Sequence, residues 1–534
     1  MFRSEKISFR DSRSMNRLVL DYLEKKEELK PFYNSFPDKK GFQEFFSKDQ
    51  YSELDRNVLT RSLLTQFQKC KNGTAYTKSN IEKLSVKNCF TVTTGHQLCL
   101  FTGPLYFIYK ILSAIQLAEE LKQLLPEKEF VPVYWMAGED HDFEEVNHFH
   151  VYGKKISWER NSKGPVGRMK TEGLEKVLDE FKQILEGHPN SEYLLSLFKR
   201  SYLENKTLSD ATRYLVNELF GEYGLIIAEG DDTELKKSAR TLFHADIFEN
   251  RTNKAIEEQI TRLNQLGYKQ QVNPREINCF YMTEGMRERI VMQGESYSVL
   301  NTNLSFSKEE LKRQIEENPE SFSPNVALRP LYQQSILPNI AYVGGPGELA
   351  YWLQYKKAFE EYRVVFPVLV PRASFTLIDE GIQSKIEKLG LPLSSLFKDE
   401  SEQIKETLKK ATAYPDFNSE IEEIKKIYAQ LGVKIKSIDQ SLLGALAAEE
   451  QKSIKAIETL HQKVVRALKL KEETSVKQIE TIHSKLFPDG VPQERYANFS
   501  QFSTEADNAL VKELKSFSDP LLLCHQLILT DKRS

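Results

Sequence analysis

Residues 88–137 constrain the fold more than any other part of the chain. Cys89-Phe90-Thr91-Val92-Thr93-Thr94 is a short β-prone run, and Gly95 ends it. After a loop, Pro104 suits the first turn of a helix, where the backbone N–H it lacks would have no partner. Leu105, Ile108, Ile111, Leu112, Ile115, Ala118 and Leu121 then recur at helical spacing, and Pro126 follows. Residues 130–137 form a second run of buried-strand type. Strand, glycine-bearing loop, helix and strand make a βαβ unit, which sets two parallel strands in one sheet with a right-handed crossover.

Leu225-Ile226-Ile227-Ala228 and residues 364–370 are further core strands, each after a helical stretch at about 206–220 and 347–361. An α/β sheet assembled from distant segments follows. Residues 151–220 and 275–305 read as insertions, the second as paired strands (279–283 and 289–292) around Glu284-Gly285-Met286. From about 376 glycines become sparse. Ile421, Ile424, Tyr428, Leu431, Ile435, Ile438 and Leu442 step by three and four, and after a slip Ile454, Ile457, His461, Val464 and Leu468 resume. That heptad seam indicates a coiled coil, with residues 379–411 as the antiparallel partner. The expected organisation is a core over 1–375, a helical arm over 376–490 ended by Pro488-Asp489-Gly490, and a segment 491–534 that rejoins the core.

Composition excludes several classes. The 534 residues can bury a large core without disulfides. Lys+Arg 74 against Asp+Glu 77 leaves a net charge of −3, not the basic excess of a nucleic-acid binder. No apolar run of about 18 residues suggests a membrane span, and the first residues lack the apolar stretch of a secretory signal. Five scattered cysteines, at 70, 89, 99, 279 and 524, suit a reducing cytoplasm and form no zinc motif.

Three constellations could carry chemistry. Thr94-Gly95-His96-Gln97 with Thr102-Gly103-Pro104 lies where a strand end leads into a helix, so backbone N–H groups could meet an anion there. The same residues also fit a plain strand-to-helix turn. They match neither a Walker A loop nor GxGxxG. Residues 138–150 gather Glu139, Asp140, His141, Asp142, Asn147 and His148 just past a strand, and could hold an amine, a cation or a proton. A solvated acidic turn is the alternative, and no tight metal signature is present. The third runs over residues 323–348. There Arg329 offers a fork for a carboxylate or phosphate, Gln333 and Tyr342 lie nearby in sequence, and Gly344-Gly345 permits close backbone approach. Arg372, just past a strand, could join the same rim, and Gln493-Glu494-Arg495, after the arm, could return to the core.

These stretches resemble a known family. TTGHQLCLFTGPLYFIYK, VPVYWMAGEDHDFEEVNH, SPNVALRPLYQQSILPNIAYVGGPGELAYW and VPRAS, in that order, are similar to the BshC family of bacillithiol biosynthesis. The resemblance is dense over about 88–376 and looser through the arm to PQER. It implies a Rossmann-like parallel-sheet core with inserted connecting segments, plus a long α-helical coiled-coil domain that pairs two subunits. It also implies a cytoplasmic ligase that joins L-cysteine to glucosaminyl-malate through an amide bond, the last step towards bacillithiol. His96 stands where similar sequences often carry Gln, which favours binding over proton transfer at that position.

On this reading a nucleotide (ATP or ADP) or another anion lies at Thr94, Gly95, His96, Gln97, Thr102, Gly103, Gly344 and Gly345. Asp140, His141 and Asp142 are the catalytic candidates, serving the amine. Glu139, Asn147, His148, Arg329, Gln333, Tyr342 and Arg372 are candidates to bind substrate, the arginines holding carboxylates. No metal, nucleic acid or membrane partner is expected. Two other readings stay open: a metal-dependent hydrolase centred on residues 139–150, and a nucleotide-binding assembly factor that works through its coiled coil.

Overall fold

The computed structural model describes residues 2–47, 54–160, 163–411, 414, 416–505 and 507–530. The chain divides into two compact units, one built of residues 2–377 with 491–528 and one mainly of residues 378–490.

The larger unit is organised by five strands: β1 (Cys89–His96), β2 (Glu129–Met136), β3 (Ile226–Glu229), β4 (Asn339–Gly344) and β5 (Val368–Pro371). Their spatial order is β5-β4-β1-β2-β3, and every neighbouring pair is parallel. The chain thus runs outward from β1 to β3, then crosses back to add β4 and β5 on the other side. This is the Rossmann-like order, with its topological switch point between β1 and β4. β1 tolerates three buried threonines because β4 satisfies each of them, Thr91 Oγ1 donating to Asn339 Oδ1 (3.2 Å). Thr93 Oγ1 donates to Asn339 Oδ1 (2.8 Å) and Thr94 Oγ1 to the Val343 carbonyl (2.9 Å).

Helix α1 (Tyr106–Leu124) packs its apolar stripe on β1 and β2. The loop before it is strained: Phe101, Thr102 and Gly103 all have positive φ, at 46°, 71° and 61°. A β-branched residue there costs energy that the surroundings must offset. Asn498 does so, donating to the carbonyls of Phe101 and Gly103 at 2.7 Å each. The Phe101 N–H donates to the Tyr202 hydroxyl (2.8 Å) and the Leu105 N–H to the Ala497 carbonyl (2.9 Å). The segment after the arm therefore staples the loop that follows β1.

The two insertions differ in kind. Cys279–Thr283 and Met286–Gln293 pair antiparallel as a hairpin, its second strand beginning three residues before the expected 289. Residues 151–220 are mostly helical, around Leu174–Ile184, Ser191–Phe198 and Leu208–Phe220. The helical stretch at 347–361 is broken into α2 (Pro346–Trp352) and α3 (Lys356–Glu361).

In the smaller unit the heptad seam is divided between two helices, Asn418–Lys436 and Leu443–Lys471. They pack on each other as an antiparallel hairpin, with Tyr428 hydrogen-bonded to Ser453 (2.8 Å). The partner expected at 379–411 is corrected accordingly. Glu380–Leu389 and Glu400–Ala411 pack instead on Glu473–Leu486, where Ile404 and Leu408 bury against Val476 and Ile479. A heptad phase shows which residues face a seam but not whether the helix reverses. The reversal is marked by Asp439, whose carboxylate accepts the Ser441 N–H (2.8 Å). Among the described residues no helix is long and apolar enough to cross a membrane.

Candidate active site

A crevice of about 630 Å³ opens at the carboxyl ends of β1, β2 and β4. That is where a doubly wound sheet places its ligands. Gly95 is the last residue but one of β1, and a Cβ there would stand 3.3 Å from the Tyr342 hydroxyl and 3.6 Å from the Arg329 guanidinium. Glycine lets both side chains approach the strand backbone.

Lys110 sits within the apolar stripe of α1, only 2% exposed. Its ammonium contacts the Gly95 carbonyl and lies 2.7 Å from Glu348 Oε2. Glu348 is the third residue of α2. It accepts the Gly345 N–H (2.9 Å) and the Tyr342 hydroxyl (2.7 Å). Burial alone would raise this carboxyl; Lys110 and the two other donors hold it below the ordinary range instead. The pair closes the switch point between β1 and β4.

Four guanidinium groups line the same space, those of Arg287, Arg329, Arg372 and Arg495. Arg329 donates to Gln333 Oε1 (3.0 Å) and makes no ion pair among the described residues. Arg372 is held bidentate by Glu494 at 2.6 and 2.9 Å, yet its Nε is buried with no partner. A Cβ on Gly345 would stand 3.6 Å from that Nε. Arg287 comes from the inserted hairpin. It donates to Ser323 Oγ (2.9 Å), the Pro324 carbonyl (3.0 Å) and His141 Nδ1 (2.8 Å), and it has no carboxylate partner among the described residues.

Carboxylates line the crevice as well. Gln97 Nε2 donates to Asp140 Oδ2 (2.8 Å) and Glu145 Oε2 (2.7 Å), so one amide joins two acids. The loop carrying Asp140 is fixed by residues 166–167. The Val166 N–H donates to the Asp140 carbonyl (2.7 Å) and the Gly167 N–H to the Gly138 carbonyl (2.8 Å). A Cβ on Gly138 would lie 2.3 Å from Glu229 Oε1, so a larger residue would have to displace that carboxylate from its Ser209 hydrogen bond. Glu139 is paired with the fully buried Lys236 at 2.5 Å. Lys236 also faces Asp231 (3.6 Å), which Arg168 grips at 2.7 and 2.8 Å.

His96 Nδ1 lies 2.9 Å from the Gln97 carbonyl. A carbonyl only accepts, so Nδ1 carries the proton and Nε2 is an acceptor. Burial, helped by Lys110, pushes its pKa down to about 3. His96 is therefore neutral at pH 7 and suited to binding. His141 receives a hydrogen bond at Nδ1 from Arg287, and burial with that same cation lowers its pKa.

The structure brings Gly95, His96, Gln97, Glu139, Asp140, Arg329, Tyr342, Gly345 and Arg372 to one crevice. It does not bring the rest of the candidates there. Thr94 and Gly344 lie in the sheet interior, and Thr102 and Gly103 belong to the strained loop. Gln333 stands behind Arg329, and His141 reaches the crevice through Arg287. Asp142 is exposed on the loop. Asn147 is buried beside His148, which lines a neighbouring cavity of about 390 Å³.

Lys110, Glu348, Arg287 and Tyr106 also line the crevice and were not singled out as candidates by sequence; Arg495, on the segment after the arm, lines it too. For Lys110 a signal existed: a lone cation amid Phe107, Ile108, Tyr109, Ile111 and Leu112. Among the described residues no three His, Cys, Asp or Glu gather to hold a metal ion.

Fold and site together define a Rossmann-like α/β protein with a small-molecule crevice of divided charge at its switch point, joined to a helical coiled-coil domain. The sequence matches the family model "Bacillithiol biosynthesis BshC, N-terminal Rossmann-like domain" over residues 2–373. It matches "Bacillithiol biosynthesis BshC, C-terminal coiled-coil domain" over residues 375–530. A Flavobacterium johnsoniae protein is 41% identical over 525 residues, covering 98% of this chain and 99% of its own. One from Christiangramia forsetii is 42% identical over 522 residues, covering 96% and 97%. One from Cytophaga hutchinsonii is 38% identical over 528 residues, covering 97% of each. All three bear the description "Putative cysteine ligase BshC". The chain belongs to the BshC family.

Proposed function

We propose that this protein is the ligase that joins L-cysteine to glucosaminyl-malate through an amide bond, completing bacillithiol. The observation that carries the reading is the division of charge within one crevice. Amide formation from a free acid and an amine brings together carboxylates, an activating anionic group and an ammonium ion. Arg329, Arg372 and Arg287 offer donors to the anions, while Asp140 and Glu145 offer acceptors to the ammonium.

The residues fit an activating nucleotide. Arg372 Nε is a buried donor with no partner, and Arg329 is a cation without a counter-ion among the described residues. Gly95, Lys110 and Gly345 would hold its phosphates. ATP bound there would supply the energy that turns the cysteine carboxylate into an acyl donor. Burial lowers the pKa of Lys110 and Glu348 opposes that shift, while Arg329 neutralises the carboxylate oxygens so that the carbonyl carbon is exposed to attack. Gln97 sets the Asp140 and Glu145 carboxylates side by side to orient the sugar amine and take its proton as the C–N bond forms. Thr94, Thr102, Gly103, Gly344 and Gln333 act as framework, and His141 positions Arg287.

The helical unit is the dimerisation element in this reading, supported by exposed Ile427, Val433, Ile438 and Leu442. Five free cysteines accord with work in a reducing cytoplasm. The test uses Asp140→Asn and Arg329→Ala in a strain lacking its own copy. Both should abolish bacillithiol; wild-type levels in both would remove the crevice from the reaction.

A further inference from the structure

The second cavity, about 390 Å³, shares Gln97, Tyr106, Glu145 and Arg495 with the crevice. Three residues it does not share form an aromatic cluster. The His150 ring stacks on Tyr496 at 4.1 Å and 28°, and the His148 ring stands edge-on to His150 at 5.3 Å. His148 Nδ1 donates to Asn147 Oδ1 (2.9 Å), which leaves Nε2 as an acceptor. Burial, with Lys155 nearby, lowers the pKa of His148 and favours the neutral ring. Where the cavities meet stand Glu145, aimed by Gln97, and Arg495, an exposed cation with no ion pair among the described residues.

We propose that this cavity is the acceptor subsite, which takes the sugar–malate and leaves cysteine and the activating group to the crevice. The inference rests on the ligase reading and deepens it. A pyranose presents a flat C–H face and a rim of hydroxyls. Stacked aromatic rings offer an apolar plate with polar edges, and a neutral imidazole nitrogen accepts a hydroxyl. A malate carboxylate suits Arg495. The amino group arrives as an ammonium ion and meets Glu145, the one carboxylate among the described residues that lines both cavities. Gln97 then bridges the acid that admits the amine, Glu145, to Asp140 beside the activated carboxyl. The cavity volume falls within the ~300–1,000 Å³ typical of small-molecule sites.

The test is calorimetry on the full chain with glucosaminyl-malate, malate, glucosamine and L-cysteine as separate probes, alongside steady-state ligation. His148→Ala and Tyr496→Ala should each weaken glucosaminyl-malate binding about tenfold, the loss of a hydrogen bond or a ring contact, and leave the KM for cysteine unchanged. Tryptophan fluorescence checks folding, and His148→Gln replaces His148→Ala if the latter unfolds. Unchanged glucosaminyl-malate affinity in both variants, an equal shift for cysteine, or no glucosaminyl-malate binding by the wild type would overturn the subsite. Amide formation with an unmoved acceptor KM sinks the subsite and spares the ligase reading. Variant-sensitive acceptor binding without amide formation does the reverse.

Discussion

Glu348→Gln should destabilise the larger unit by about 3 kcal/mol at pH 7, even though glutamine has the same shape. The magnitude follows from what Lys110 loses. Its side chain is 3% exposed, its ammonium lies 2.7 Å from Glu348, and its other contact is the Gly95 carbonyl. Breaking a buried pair by removing one partner typically costs ~3–5 kcal/mol, because the remaining charge is uncompensated. The ceiling is set by deprotonation, since a lysine can be neutralised at pH 7 for about 5 kcal/mol. The substituted amide can keep its oxygen towards the Gly345 N–H and turn its NH2 to the Tyr342 hydroxyl oxygen, so only one acceptor is lost and the lower end applies. Lys110→Met removes a cation from a carboxylate that keeps those two donors, and should cost about 2 kcal/mol. Removing both charges leaves neither uncompensated, so the double variant should lose less than about 2 kcal/mol rather than the sum of the single losses. The assay is urea unfolding followed by tryptophan fluorescence. Trp135, Trp158 and Trp352 all belong to this unit, so the signal reports on it alone. A double variant as unstable as the two single losses added together would refute the idea that this pair is energetically linked at the switch point.

Further outcomes concern other parts of the same site. His96→Gln should flatten the acid limb of stability: the folded pKa of about 3 lies below the ordinary ~6.5, so stability is full above pH 6.5 and is lost as pH falls towards 3, measured by urea midpoints across that window. Asn498→Ala should cost about 2–3 kcal/mol in the same fluorescence assay, because two carbonyls of the strained loop lose their donor. Gly95→Ala should reduce kcat/KM at least tenfold with little loss of stability, because the added methyl meets the Tyr342 hydroxyl and the Arg329 guanidinium; full activity would remove close approach as the reason for glycine.

The parallel sheet was legible because β1 and β2 are unbroken runs buried on both faces, separated by one helix with a clear stripe. β5 was legible in place but not in extent, since residues 364–367 are β-prone yet precede the ladder, which begins at Val368. Asp140, Arg329 and Arg372 were legible as polar residues at strand ends. His141 and Asp142 shared the same sequence density but fall away from the crevice, because adjacent side chains on a loop diverge. Arg287 was invisible: it lies 146 residues from His141 on a hairpin whose docking position only the tertiary structure sets. The arm was legible as a coiled coil, but its reversal at residues 437–442 carries neither Gly nor Pro.

The most direct test of the charge-divided crevice as an amide-forming site is mass spectrometry of the purified full chain supplied with L-cysteine, glucosaminyl-malate and ATP. Such a site should yield a product equal in mass to the two substrates less one water, formed by the wild type and lost in Arg329→Ala. No product with any nucleotide, or undiminished product from Arg329→Ala, would contradict it.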